Sequence, residues 1–372
     1  MQTIYLDNAA TTKPNSEALE FAINKLADDG FYNPSALYSR ARRVSVEVDA
    51  ARKQILSFFP KGYNLTFTSC GSESDNTAIF SFAKRGNVVT TLGEHSAVYN
   101  TFNEVKQRGV EVRFAPLNKN GSVNEEKLLS LIDDKTTFVS IVHVNNETGA
   151  INDINRLAKL IKQKNKNVIF HSDGVQAFLK IDYKMSSEVD LYSISSHKFC
   201  ALKGCGCLVY KANLHIKPLI FGGGQEKGTR SGTENTLGIF VMQKACQLYS
   251  NVQANLKKVE QLKQAFISSI QEVATIISDE NCSPYIVSFS IEGTKGEIMQ
   301  RMLEDKNVIV GTGSACSSKL GTSRIISNCG IDKKLLNGVL RVSFIYSTTE
   351  EDIEAGANAI IECAQTLRKA LK

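Results

Sequence analysis

The chain has 372 residues, of which 42% are hydrophobic and 22% charged, a composition typical of a globular protein with its own core. Its formal net charge of +6 is spread along the sequence without a basic run, which argues against direct nucleic-acid binding. The sequence has no apolar run long enough for a membrane span, no signal-peptide pattern at its start and an odd number of cysteines, nine, so we expect a cytoplasmic protein without a disulfide framework.

Between about residues 64 and 240, short apolar runs alternate with helical patterns. This alternation predicts an α/β domain with a largely parallel sheet that helices cover on both faces. Ligands of such sheets bind at the carboxyl ends of the strands. The predicted strands are 64–68, 87–90, 112–114, 137–143, 168–171 and 191–194, and the predicted helices include 74–82 and 154–164.

The pattern changes after about residue 240. A long helix is predicted over 237–273, followed by strands at 285–290, 308–310 and 340–344 and a closing helix over 349–371. This order indicates a smaller α+β domain after the large one. No Pro-rich or low-complexity linker separates the two, so we expect them to pack closely.

Lys198 and Asp173 each follow a predicted strand and lie 25 residues apart, about one β-α-β step. A lysine in such a turn can form an imine if its surroundings lower its pKa. A neighbouring carboxylate suits pyridoxal phosphate, whose ring nitrogen needs an acidic partner. Taken singly, the lysine is typical of a surface residue and the aspartate of a helix N-cap. Their shared position at one sheet edge favours a pyridoxal-phosphate site.

Two segments rich in small residues are candidate phosphate contacts. Residues 69–74 lie between a predicted strand and a predicted helix, where free backbone N–H groups bind anions. Residues 221–233 contain five glycines and form either a flexible loop or a second phosphate-contacting segment. Neither the P-loop nor the G-x-G-x-x-G spacing occurs, which argues against nucleotide and dinucleotide binding.

Cys316 stands apart from the other cysteines, because it lies in the small-residue, polar segment 310–319. A cysteine in such a loop can present a thiolate to a substrate. The apolar or helical neighbours of Cys246, Cys329 and Cys363 predict buried, inert thiols. The C-x4-C-x-C spacing of Cys200, Cys205 and Cys207 matches no zinc pattern, so no metal site is predicted.

His95 and Asn146 also follow predicted strands. A loop histidine is often merely exposed to solvent, but one at this sheet edge can stack on a cofactor ring and act as a general acid or base. Several polar residues at strand ends are therefore expected to converge on one site.

Eight segments contribute motif residues, namely 5–12, 67–76, 93–95, 143–149, 171–176, 195–198, 230–233 and 313–316. Taken together, they resemble the cysteine desulfurases of the class V aminotransferase-like, pyridoxal-phosphate-dependent enzymes, in the group with the longer cysteine loop and a Ser-Ala-Cys motif. The match extends over essentially the whole chain in order. The resemblance implies an aminotransferase-type fold (fold type I) with a large domain over residues 15–250. Residues 1–14 and 251–372 would form the small α+β domain that carries the cysteine loop.

The resemblance also implies a homodimer with pyridoxal 5'-phosphate, L-cysteine as substrate and a role for each motif residue. Lys198 would bind the cofactor covalently, His95 would stack on its ring and move protons, and Cys316 would be the nucleophile. The product would be L-alanine and a persulfide on Cys316, passed to a scaffold or thiolation enzyme for iron-sulfur cluster assembly or for tRNA or cofactor thiolation. The remaining roles are Asp173 at the ring nitrogen, Gln176 at the ring hydroxyl, Asn146 beside that hydroxyl and the substrate, Gly71, Ser72, Ser195 and His197 at the phosphate, Thr233 reaching the partner subunit's phosphate, and Arg341 at the substrate carboxylate.

Two departures from the family pattern fall beside these motifs. Gln225 stands where many members have histidine, and residues 199–202 replace the usual aromatic-Gly-Pro. Two other functions stay open at this point. A selenocysteine lyase or another class V enzyme would keep Lys198 and Asp173 without requiring the Cys316 loop, whereas a non-catalytic interaction partner would be expected to lose the lysine, arginine or cysteine. All three residues are present, and the loop favours the desulfurase.

Overall fold

The strands and helices of the chain follow the predicted alternation. They come from a computed structural model, which describes residues 3–312 and 323–370. The strands are β1 Ile4–Tyr5, β2 Tyr63–Thr68, β3 Asn87–Thr91, β4 Glu111–Ala115, β5 Thr136–Ser140, β6 Ile169–Asp173, β7 Leu191–Ser195, β8 Gly206–Lys211, β9 Thr275–Ile276, β10 Ile286–Ser290, β11 Val308–Ile309 and β12 Val339–Ser343. The helices are α1 Ser16–Lys25, α2 Ser39–Leu56, α3 Gly71–Phe82, α4 Ser96–Gln107, α5 Glu125–Ser130, α6 Ile154–Lys164, α7 Thr236–Leu248, α8 Val252–Ile270, α9 Gly296–Asp305, α10 Arg324–Asn328 and α11 Glu350–Ala370.

The largest sheet in the described part of the chain has seven strands in the order β2-β8-β7-β6-β5-β3-β4. The pairings from β4 through β3, β5 and β6 to β7 are parallel, as predicted. Strand β8 was not predicted and pairs antiparallel with both β7 and β2. The parallel strands therefore end at one common edge, which is where an open α/β sheet binds its ligand.

Both faces of this sheet are buried under helices. The neighbouring strand residues Val88 and Val89 are fully buried in two different hydrophobic clusters, since successive side chains of a strand point to opposite faces. Helix α6 shows how the covering helices form. Asp153 caps it by accepting from the Arg156 backbone N–H at 3.0 Å, and its buried residues repeat at helical spacing, namely Ile154, Leu157, Ala158 and Ile161.

The prediction of a single helix over 237–273 is wrong, because the chain forms two helices there. Helix α7 ends at Leu248, and α8 begins at Val252 after Asn251, whose side chain accepts from the Ala254 backbone N–H at 3.2 Å. Asparagine at such a position favours a new helix start over helix continuation.

A second core joins the beginning of the chain to its last third. Strand β1 pairs in parallel with β11, and Leu6 and Ala9 are buried with residues of β10, β12, α8 and α11. Helix α11 lies so close to the first segment that a Cβ on Gly356 would be 2.6 Å from Leu6 Cδ1. The three-stranded antiparallel sheet β12-β10-β9 completes this region. No helix among the described residues has the length and apolar character needed to cross a bilayer.

Candidate active site

A cavity of about 800 Å³ lies at the carboxyl ends of the parallel strands, between the large sheet and the second core. Its volume is in the range of small-molecule and cofactor sites. The predicted site residues that line it are Gly71, Ser72, His95, Asn146, Asp173, Gln176, Ser195, His197, Lys198 and Arg341. Asp7, Asp75, Glu147 and Arg324 also line it, although none of them was among the predicted site residues.

Lys198 lies in the short 3-10 turn Ser196–Lys198 directly after β7. Its Nζ donates hydrogen bonds of 2.7 Å to the carbonyl oxygens of Ala9 and Ala10. The first segment of the chain is in turn fixed to β12, where the Ala9 backbone N–H donates to Ser343 Oγ at 2.8 Å. The amine is therefore positioned by both regions of the fold.

Asp173 ends β6 and points its carboxylate into the cavity, with only 4% of the residue exposed. One carboxylate oxygen, Oδ1, accepts from the Val175 backbone N–H at 2.9 Å. Burial raises the pKa of Asp173, while the nearby His95 and Lys198 act in the opposite direction. A cationic ring nitrogen placed beside this carboxylate would stabilise its ionised form.

His95 caps helix α4 with its ring. Its Nδ1 accepts from the Ala97 backbone N–H at 3.1 Å, so the neutral ring carries its proton on Nε2. Burial lowers the pKa of His95, and the neutral imidazole therefore predominates near neutral pH. A ring with one fixed nitrogen and one remaining nitrogen is suited to proton transfer in the cavity that it lines.

The N-terminus of the 12-residue helix α3 forms one end of the cavity, beside Ser195 and His197. Gly71 is tightly packed there, because a Cβ would lie 2.8 Å from Val175 Cγ2 and 3.2 Å from Ser195 Cβ. His197 is held by Thr11, whose Oγ1 lies 3.1 Å from Nδ1, and burial lowers its pKa to about 3. Backbone N–H groups, hydroxyls and a neutral imidazole form a donor set for an anion such as phosphate.

Arg341, on β12, reaches the cavity between two fixed acceptors. Its Nη1 donates to the Asn146 carbonyl oxygen and its Nη2 donates to Asp7 Oδ1, each at 2.6 Å. Its Nε and Asn146 Oδ1 are buried without a hydrogen-bond partner among the described residues. The guanidinium is thus oriented by the protein and keeps unused donor capacity, as the binding of a carboxylate requires.

Asp75 is a second buried carboxyl beside the cavity that sequence reasoning missed. It lies on α3, is 1% exposed, and its Oδ1 has no hydrogen-bond partner among the described residues, although His171 Nε2 is 3.7 Å away. Burial and the charge of Asp173 raise the pKa of Asp75. Its position within the motif 67–76 could have suggested a role in the site, but only the packing of α3 shows that its side chain faces inward.

Arg324 holds the turn that precedes His95. It donates to the carbonyl oxygens of Leu92 and of Glu94, the latter at 2.5 Å, and its guanidinium lies 3.8 Å from the centre of the Tyr99 ring. Glu94 itself is fully buried, and burial raises its pKa to about 8. No sequence pattern linked a residue so far along the chain to the loop of His95.

One predicted residue whose position the structure describes, Thr233, does not line this cavity. Thr233 is exposed and lines a separate small depression with Glu226 and Arg230, so its predicted role at the partner's phosphate stays a prediction. Cys316 lies outside the described residues, as does the remainder of the segment 313–322. Cys246, Cys329 and Cys363 are buried, as predicted.

The cavity fits pyridoxal phosphate in its donor set. One end provides anion-binding groups, a buried carboxylate is available for a basic ring nitrogen, and a lysine lines the same cavity. Asp75 Oδ1 and Asn146 Oδ1 are buried there and have no hydrogen-bond partner among the described residues. Such atoms at a cavity wall are typical of a binding site for a polar molecule.

Comparison with known proteins matches nearly the whole length of the chain to one protein family. The family model described as aminotransferase class-V matches residues 4–355. A Clostridium botulinum protein named cysteine desulfurase IscS is 36% identical over 366 residues, which cover 94% of this chain and 91% of that protein.

Solved structures confirm the predicted aminotransferase-type α/β fold. A NifS-like protein from Rickettsia africae superposes with a TM-score of 0.89 and 29% identity, covering 98% of this chain and 100% of the other. A structure described as SspA in complex with cysteine superposes with a TM-score of 0.79 and 26% identity, covering 94% and 100% of the two chains.

Proposed function

The chain belongs to the class V aminotransferase family and to the cysteine desulfurases within it, and we propose that it uses pyridoxal 5'-phosphate to remove sulfur from L-cysteine. The observation that carries this proposal is the common cavity of Lys198 and Asp173, which adjoins the N-terminus of α3. An amine, a buried carboxylate and an anion site in one cavity are the groups that this cofactor requires.

Each end of the cavity would hold one part of the cofactor. Gly71, Ser72, Ser195 and His197 would bind the phosphate, and the Asp173 carboxylate would keep the proton on the ring nitrogen. When bound, pyridoxal phosphate supplies an electron sink that weakens bonds at the α and β carbons of an amino acid. Lys198 would attach it covalently, Gln176 and Asn146 would contact its ring hydroxyl, and His95 would lie against its ring.

The other side of the cavity would bind the substrate. Arg341 would bind the L-cysteine carboxylate through its remaining N–H groups, and Asn146 would lie beside it. His95 would move a proton through Nε2. The Cys316 thiol would gain the substrate's sulfur as a persulfide, with L-alanine as the second product, so one thiol and one cysteine give one persulfide and one alanine.

We also propose a homodimer, which would supply the phosphate contact from Thr233. Phe31 and Tyr38 are 63% and 52% exposed and flank the ring of Tyr32 at centroid distances of 4.1 and 5.8 Å. Ser35, in the same loop, lies 3.4 Å from a carboxylate oxygen of Glu234, next to Thr233. An exposed aromatic cluster that adjoins Thr233 supports a subunit interface there.

The persulfide would be transferred to an acceptor protein, either an iron-sulfur scaffold or a thiolation enzyme, in the cytoplasm. The proposed domains are a large one over residues 15–250 and a small one formed by residues 1–14 and 251–372. The separate buried cluster that contains Leu6, Phe289 and Ile360 supports the second of these.

The proposal is tested with purified protein reconstituted with pyridoxal phosphate. We expect visible absorbance from lysine-bound cofactor, and equal amounts of alanine and of sulfide released by reductant after L-cysteine is added. Lys198→Ala should lose the visible absorbance, whereas the control Lys203→Ala, an exposed lysine in the next turn, should keep it. A wild-type protein that stays colourless after reconstitution contradicts the proposal.

A further inference from the structure

The side-chain amide of Gln176 is fixed at both of its polar atoms. Its Nε2 donates to the Ala9 carbonyl oxygen at 2.8 Å, and its Oε1 accepts from Lys180 Nζ at 3.0 Å. The same Ala9 oxygen accepts from Lys198 Nζ at 2.7 Å. A short series of hydrogen bonds therefore connects Lys180 to the lysine of the proposed active site.

The hydrogen-bond partners at its two ends determine which way this amide faces. The carbonyl and amino ends of a glutamine side chain have nearly the same shape, so only the hydrogen-bond partners distinguish the two orientations. The Ala9 carbonyl oxygen only accepts and a protonated Lys180 only donates, so the carbonyl oxygen of Gln176 faces Lys180 and its amino group faces Ala9. The amino group then points the other way, with one hydrogen on Ala9 and a second for the cavity that Gln176 lines.

Lys180 is unusual for a lysine, because the residue is only 2% exposed. Burial, together with the charges of Lys198 and Arg341, lowers its pKa to about 7, while Cys200 acts in the opposite direction. The centre of the Tyr285 ring is 5.9 Å from its Nζ. Among the described residues no carboxylate forms an ion pair with Lys180, so ion pairing does not account for a buried amine, and Gln176 is its hydrogen-bond acceptor.

We propose that Lys180 is a positioning residue that, together with the Ala9 carbonyl, orients the Gln176 amide so that an N–H group, rather than a carbonyl oxygen, faces the ring oxygen of the cofactor. The inference rests on the proposed function, in which Gln176 contacts that oxygen. A donated N–H stabilises the ionised ring oxygen, whereas a reversed amide would place two oxygens against each other. Lys180 thereby tunes the protonation of the bound cofactor without touching it.

The test is a pH titration of the visible absorbance of reconstituted protein. In Lys180→Met the amide loses its orienting donor, and we expect the titration midpoint to rise by roughly half to one pH unit, as the loss of one hydrogen bond implies. The matched control is Lys263→Met. Lys263 is 5% exposed in the second core and donates to the Asp279 and Cys282 carbonyl oxygens, so its replacement should leave the midpoint unchanged.

A double-mutant cycle separates orientation of Gln176 from a direct effect of the lysine charge. In a Gln176→Leu background, Lys180→Met should produce no further shift. An equal shift in both backgrounds, or an unchanged midpoint in Lys180→Met, overturns the inference. If Lys180→Met does not fold, Lys180→Leu gives the same comparison, because leucine likewise has no hydrogen-bond donor. A wild-type protein without visible absorbance contradicts the proposed function instead.

Discussion

Arg341 Nη2 lies 2.6 Å from Asp7 Oδ1, a contact between residues 334 positions apart in the chain. With the Asn146 carbonyl oxygen on Nη1, this contact fixes the guanidinium before any substrate arrives. Because 9% of the arginine side chain and 18% of the aspartate side chain are exposed, the pair is well shielded from water. Preorganised donors of this kind bind a carboxylate without having to be ordered first.

Arg341→Lys should therefore weaken substrate binding more than turnover. A lysine cannot reproduce the planar set of donors, and loss of one charge-assisted hydrogen bond corresponds to a decrease of about 10- to 100-fold in kcat/KM. We expect the change mainly in KM for L-cysteine, with the cofactor absorbance retained. The control is Arg368→Lys on α11, whose guanidinium donates to the Val273 carbonyl oxygen away from the cavity. An unchanged KM in Arg341→Lys would refute the carboxylate assignment.

His95→Asn should reduce kcat by about 10²- to 10⁴-fold, the usual contribution of a general acid or base. Asparagine is a strong N-cap, so its side-chain oxygen can accept from the Ala97 backbone N–H in place of His95 Nδ1 and preserve α4. Steady-state kinetics with a thermal unfolding curve of the same sample separates the two effects. A stable variant with wild-type kcat would exclude proton transfer by His95.

Cys316→Ser should abolish persulfide formation while leaving the visible absorbance of the cofactor intact. A hydroxyl is far less nucleophilic than a thiolate near neutral pH and cannot carry the sulfur. Ser317→Ala, a neighbouring change that removes one oxygen, serves as the control and should retain activity. Sulfur release at the wild-type rate by purified Cys316→Ser would show that another group receives the sulfur.

Glu94→Gln should stabilise the protein increasingly as the pH rises. Burial raises the pKa of Glu94 to about 8, so between pH 5 and 8 the folded state holds a proton that the unfolded state has lost. The wild-type free energy of unfolding therefore falls as the pH rises from 5 to 8. The variant, with its neutral glutamine, does not lose this stability. We expect the variant to gain on the order of 1 to 3 kcal/mol at pH 8 and little at pH 5.

Urea unfolding at both pH values measures this difference, with Glu20→Gln on the exposed face of α1 as the control for removing one negative charge. A gain of equal size at pH 5 and 8 would contradict the assignment of a proton to buried Glu94. Each variant removes one carboxyl group from the unfolded chain, so a difference between Glu94→Gln and Glu20→Gln reports the protonation of Glu94 in the folded state.

The sequence by itself determined the order of strands and helices and the convergence of Asp173, His95 and Lys198. Their strands are short apolar runs, and parallel strands of one sheet end at one edge. Such local patterns were sufficient because each residue follows its own strand directly. The same reasoning missed β8 and joined α7 to α8 across the cap at Asn251.

Only the tertiary structure decided how the site residues are held. The pairing of Asp7 with Arg341, the docking of Arg324 on the turn before His95 and the inward direction of Asp75 depend on distant segments packing together. Lys180 lies four residues after Gln176, but nothing in that spacing shows that its amine is buried. Spacing along the chain predicts local conformation, whereas burial and charge pairing depend on neighbours that folding brings close, often from hundreds of residues away.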